Sequence, residues 1–191
     1  NLNEDLKMTE YSSQKSPTHL GLRIGETITL HEALKAVTVH SCNDIASLLA
    51  ERISGSERDF VSLMNERADT FKMQDTIFYD STGLPEKHNN ISTANDIAIL
   101  ANNILYKHKK YLPLFNIPEW SWNGKSYHNS NRLMGKCPGM DFCKTGYIHA
   151  SGFNIVFSIN QDHRKFLCVL TGCQTSLERD HIIEYLVENI F

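Results

Sequence analysis

Two short runs carry residue types that can do chemistry together, Ser41-Cys42-Asn43 and Lys144-Thr145-Gly146. A serine hydroxyl beside a lysine ammonium can relay a proton. Acyl transfer from an amide or ester needs that proton path together with a nucleophile and an oxyanion hole. The lysine keeps such a site positive while the hydroxyl passes the proton on. Asn43, two positions beyond Ser41, can turn its amide into the same cleft and hold a substrate carbonyl. Thr145 offers a hydroxyl to a substrate carboxylate, and Gly146 leaves room for a peptide to lie along a strand edge.

These runs must be brought together by the elements that carry them. Thr29 opens a helix, with Glu32 completing a capping box. Leu30, Ala33, Leu34 and Val37 give that helix an apolar face. It stops near His40, and a second periodic stretch, Ile45, Leu48, Leu49 and Ile53, runs to Gly55. Ser41-Cys42-Asn43 is therefore expected at a junction of two helices. Ser56 begins a third helix with Phe60, Leu63, Met64 and Ala68. An extended run over 76–79 and a turn at Ser81-Thr82-Gly83 follow, and Thr93 with Asp96 starts another helix that ends near Tyr106. Residues 1–28, polar and punctuated by Pro17, Gly21 and Gly25, predict extended segments and turns.

The second half changes character. Asn123-Gly124 between Trp120-Ser121-Trp122 and Lys125-Ser126-Tyr127 predicts a hairpin, because Asn-Gly supplies the positive φ angles of a type I′ turn. Lys144-Thr145-Gly146 falls on a predicted strand. Two more strands, 153–159 and 165–171, are joined by the turn Asn160-Gln161-Asp162-His163. Ser176 is expected to cap a final helix with Ile182, Ile183, Leu186 and Val187 on one side. Helices, then antiparallel strands, then a helix on the sheet predict an α+β fold. The expected organisation is one domain over 1–191, helical over about 29–110, strand-rich over about 115–172, and helical again over about 176–191.

Composition narrows the classes. A chain of 191 residues with 41% apolar content suits one core. A net charge of −3 without a basic block argues against a nucleic-acid partner. No apolar stretch approaches the roughly 18 residues a membrane span needs, so any membrane association is expected through other segments. Five cysteines with no paired metal spacing and nine histidines with no H-E-x-x-H predict no metal and no cofactor. Asn1-Leu2-Asn3-Glu4-Asp5 has neither an initiator Met nor a signal pattern, and reads as the interior of a longer protein.

The ordered set of runs resembles the D-alanyl-D-alanine carboxypeptidases, low-molecular-weight penicillin-binding proteins of the serine peptidase class. The resemblance covers the 20–29 run Leu-Gly-Leu-Arg-Ile-Gly-Glu-Thr-Ile-Thr, Ser41-Cys42-Asn43-Asp44, and Asp80-Ser81-Thr82-Gly83-Leu84-Pro85. It continues through Ser92-Thr93-Ala94-Asn95-Asp96, Asn129-Ser130-Asn131-Arg132-Leu133, Lys144-Thr145-Gly146-Tyr147 and Ser151-Gly152-Phe153-Asn154. It implies a β-lactamase/transpeptidase-like fold. It also implies removal of the terminal D-alanine from peptidoglycan pentapeptides through an acyl-serine, β-lactams as inhibitors, and a periplasmic or extracytoplasmic location. By the same resemblance Ser41 and Lys144 shuttle a proton, Asn43 holds the substrate, Thr145 and Gly146 line the receiving strand, and Arg179 lies near the substrate's terminal carboxylate.

One element of the family pattern is missing. The S-x-x-K that supplies the nucleophile has a literal match in Ser12-Ser13-Gln14-Lys15. That run has no apolar stripe, and Pro17 disfavours a helix at Ser16, so it is not expected to be catalytic. The nucleophile and its lysine are expected upstream of Asn1, leaving this chain inactive alone. A peptidoglycan-binding pseudoenzyme and a β-lactamase-type hydrolase are the alternative readings.

Overall fold

The computed structural model describes residues 1–85 and 88–190 and has an α+β fold. Strand β1 (Asp5–Lys7) pairs antiparallel with β2 (Thr27–Thr29), and Leu6 and Ile28 meet in the interior. A single turn of helix, α1 (Glu10–Ser13), interrupts the segment between them, which the sequence suggested would be only extended and turned. The Thr9 hydroxyl accepts the Ser12 amide and satisfies this turn locally.

Thr29 ends β2 and caps α2 (Leu30–Lys35), its hydroxyl accepting from the Glu32 amide. Helix α2 passes into a π-helical turn, Ala36–His40, and then breaks at Ser41, whose φ of 57° is left-handed. Helix α3 (Asn43–Ser54) departs from that corner. The buried Asp44 carboxylate holds the corner against the preceding loop, accepting from the amides of Leu20 and Gly21 at 3.0 Å. Helices α4 (Glu57–Thr70) and α5 (Ala94–Lys107) follow, capped by Ser56 and Thr93. The extended run expected at 76–79 reduces to one bridge, Ile77 with Ile91, because the surrounding backbone is satisfied by Asn65, Asn90 and Asp96 side chains instead.

Strands β3 (Glu119–Trp122) and β4 (Lys125–His128) form the hairpin, with φ of 46° at Asn123 and 74° at Gly124. The hairpin buries Trp120 in the same core cluster as Leu48 and Val39, and the indole Nε1 donates to Glu32. Strands β5 (Met140–Ile148), β6 (Gly152–Gln161) and β7 (Arg164–Cys173) make an antiparallel sheet in that order, leaving β5 at an edge. The β6–β7 turn is tighter than expected. Asp162 and His163 alone form it, both with positive φ, so each strand runs further.

Helix α6 (Ser176–Ile190) packs Ile183 onto Ile155, Phe157 and Ile159 of the sheet. The cap expected at Ser176 sits one residue earlier. Thr175 Oγ1 accepts the Glu178 amide, and the Glu178 carboxylate accepts the Gln174 amide, so the acid three positions on fixes the register. Phe191, the end of the expected helical span, lies outside the described residues. The other sheet face is closed by α5, where Ala101 and Leu105 meet Phe142 of β5.

Candidate active site

A cleft of about 830 Å³ opens where the Ser41 corner, the 81–84 loop, the 129–132 segment, the β5 edge and the start of α6 converge. Ser41, Asn43, Lys144, Thr145, Gly146 and Arg179 all line it. Its walls carry Arg132, Lys144 and Arg179 and no carboxylate among the described residues, although the whole chain has a net charge of −3.

The left-handed φ of a non-glycine residue at the Ser41 corner is a conformation that surrounding structure must impose. Here the amides of Ser41 and Cys42 both return to the Ala36 carbonyl, and the Asn43 amide is held by Thr18 O at 2.8 Å. Cys42 is fully buried under the corner, and it lines the cleft together with the flanking Ser41 and Asn43. On β5, alternation puts Lys144 on the face of Phe142, toward the helices, while Cys143 packs toward α6. Lys144 thereby reaches across to the corner. Its Nζ donates to Ser41 Oγ and, at 2.9 Å, to the carbonyl of Thr145.

Burial drives the Lys144 ammonium from its ordinary 10.5 down to about 8, against a smaller opposing effect from the Cys143 thiolate form. Two of its three N–H donors are occupied by neutral oxygens, so neither contact carries a compensating negative charge. The pair can hand a proton between nitrogen and hydroxyl near neutral pH.

Arg179 lies at the start of α6, only 3% exposed, with Nε and Nη2 on Asp180 Oδ1 at 2.9 and 2.6 Å. The contact fixes its plane and offsets much of its charge. The opposite wall is tied down from behind. Glu57 on α4 accepts from the Ser81 amide and hydroxyl, from Tyr11 Oη and from Lys15 Nζ. Burial would raise the Glu57 carboxyl, but these donors outweigh it and hold the group at about 2. Asp80 Oδ1 gathers the Thr82 amide and hydroxyl and the Gly83 amide, completing a rigid loop.

Ser12 and Lys15 stand apart from this cleft. Ser12 lies in the α1 turn, fully buried, with Oγ on Glu51, while Lys15 reaches Glu57 at 3.0 Å. The two side chains serve different carboxylates. The five cysteines are free, and all but Cys168 are buried. Burial pushes the Cys42 thiol up to about 12 and Cys143 up to about 11, far from a reactive thiolate. No cluster of His, Cys, Asp or Glu among the described residues could hold a metal ion. Glu57, Asp80 and Arg132 received no role from the sequence. Glu57 lies in the first turn of α4, and nothing local marks its bonds to Ser81, 24 positions away.

A family profile described as D-alanyl-D-alanine carboxypeptidase matches residues 3–175. The D-alanyl-D-alanine carboxypeptidase DacF of Bacillus subtilis is 29% identical over 201 residues, covering 100% of this chain and 50% of the relative. DacD of Escherichia coli is 30% identical over 162 residues, covering 83% of this chain and 41% of the relative. The crystal structure of the carboxypeptidase DacD from Francisella tularensis superposes with a TM-score of 0.93 at 22% identity, over 98% of this chain and 58% of that one. The chain thus spans about half the length of the curated relatives it matches.

Proposed function

The chain belongs to the D-alanyl-D-alanine carboxypeptidase family, and from that premise we propose that it carries the proton-relay and substrate-holding wall of a serine-type carboxypeptidase acting on peptidoglycan stem peptides outside the cytoplasm. The observation that carries this reading is the hydrogen bond from Lys144 Nζ to Ser41 Oγ, across 103 positions, inside a cationic cleft.

Each cleft residue then has a task. The substrate peptide lies along the open edge of β5 at Thr145-Gly146, which no strand pairs among the described residues. The Asn43 amide holds a substrate carbonyl, and Thr145 Oγ1 with Arg179 receives the terminal carboxylate. The attacking serine and its lysine come from a segment other than Ser12–Lys15, whose side chains are committed to Glu51 and Glu57. As that serine attacks the penultimate D-alanine carbonyl, the amide C–N bond breaks and the leaving nitrogen needs a proton. Ser41 delivers it from its own hydroxyl and is reprotonated by Lys144, which regains the proton that the attacking serine gave up to its own lysine. Water then hydrolyses the acyl-serine. β-Lactams acylate the same serine and inhibit.

Release of D-alanine from an acyl-D-Ala-D-Ala peptide by the full-length protein tests this. Lys144→Ala removes one preorganised electrostatic contact, which costs roughly 10²–10³ in turnover, with circular dichroism as the folding control. Full activity in a folded Lys144→Ala variant would contradict the mechanism.

A further inference from the structure

The segment 129–133 presents its residues in strict alternation. Asn129, Asn131 and Leu133 are anchored, while Ser130 and Arg132 are exposed and line the cleft. Asn129 Nδ2 donates to Ile117 O, and Asn129 Oδ1 accepts the Asn131 amide at 2.9 Å. Asn131 is 2% exposed, its Nδ2 lies 2.9 Å from Cys143 Sγ, and its Oδ1 accepts the Leu133 amide. Leu133 is buried in the core between the sheet and α6. The Asn131–Cys143 contact ties this segment to the residue before Lys144.

Such anchoring fixes where the Arg132 guanidinium starts, yet no hydrogen bond or ion pair engages Arg132 among the described residues. The two other cations of the cleft differ. Arg179 is forked onto Asp180, and Lys144 is partly neutral near pH 8 and spent on Ser41 and Thr145. Among the described residues, Arg132 is therefore the cleft cation whose charge is uncompensated. An exposed arginine on a convex surface is ordinarily a solvated charge. This one sits on a concave wall that carries no acid among the described residues, where its field is focused on whatever enters.

We propose that Arg132 is a second carboxylate subsite, so that the preferred ligand is a peptide bearing an anionic group upstream of the scissile bond in addition to its terminal carboxylate. This rests on the carboxypeptidase reading above. Arg179 is assigned to the carboxylate at the end of the peptide, and one guanidinium cannot also serve a carboxylate further along the chain. The planar fork of Arg132 suits bidentate pairing with that second group.

The test uses the full-length protein and two acyl-D-Ala-D-Ala peptides that are identical except for an upstream carboxylate or its primary amide. The wild type should favour the carboxylate peptide in kcat/KM by roughly two- to fivefold, the size expected of an exposed charge pair, and the preference should shrink with added salt. Arg132→Gln should bring the ratio toward one, and Arg132→Glu should invert it. Arg132→Lys should keep part of it. A residue that merely supported the loop would slow both peptides alike and leave the ratio untouched, which would overturn the subsite while the carboxypeptidase reading stands. A wild type that releases D-alanine from both peptides equally overturns it as well. A wild type that releases D-alanine from neither removes the carboxypeptidase reading, and the subsite with it.

Discussion

Lys144 and Glu57 are both charges taken out of water, one on the sheet wall of the cleft and one behind its 81–84 wall. Burial alone pushes either toward its neutral form. Lys144 meets a hydroxyl and a carbonyl, neither charged, and drops to about 8, which brings deprotonation within reach of neutral pH. Glu57 meets an amide, two hydroxyls and an ammonium, and drops to about 2, which drives it deeper into its charged form. The same direction of shift has opposite meanings for a base and an acid. The lysine is surrounded so that its proton can leave, the glutamate so that two separate segments stay joined.

Removing Glu57 should have the largest effect. Glu57→Ala strands Ser81, Tyr11 and Lys15 around a buried gap, and truncating one partner of such a network costs about 3 kcal/mol. Urea unfolding at pH 7 should show that loss. Because the folded carboxyl is depressed from 4.5 to about 2, its contribution is complete above pH 4.5 and fades as pH falls toward 2. The gap between wild type and variant should narrow over that window. A loss below about 0.5 kcal/mol, the scale of an ordinary surface substitution, would place Glu57 among solvated surface acids.

Lys144→Met sharpens the contrast from the other side. The folded state holds fewer protons on Lys144 than the unfolded state between pH 8 and 10.5. Wild-type stability therefore carries its full penalty below about pH 8 and regains it as pH rises to 10.5. The methionine variant should be more stable at pH 7 by about 2 kcal/mol, after allowance for lost hydrogen bonds, and the advantage should vanish by pH 10.5. Thermal melts across that range give the answer. A variant less stable than wild type at pH 7 would mean that Lys144 is a structural residue.

What the sequence exposes and what it hides follow from the range of the interactions. The Asn123-Gly124 turn, the Thr29, Ser56 and Thr93 caps, and the helix break at Ser41 are local, and their residue types announce them. Lys144 and Ser41 meet across 103 positions because a strand and a helix corner, each legible alone, pack together. Glu57 with Tyr11 and Ser81 spans 46 and 24 positions and has no periodic signal, so only the packed chain reveals it. The anchoring of Arg132 is equally hidden, since it depends on buried Asn131 finding Cys143 on β5. The cap of α6 falls at Thr175 rather than Ser176 because both residue types can cap, and only Glu178, three positions beyond Thr175, decides between them.

Whether Lys144 is held ready to give up a proton at the Ser41 corner can be read by titrating its side chain. Lysine-selective isotope labelling of the full-length protein resolves each ε-carbon by NMR, and the Lys144→Met spectrum assigns the resonance that disappears. A midpoint of about 8 for that resonance is the expected result. A midpoint at the ordinary 10.5 would show an ammonium as well satisfied as in water, and would contradict the proton relay.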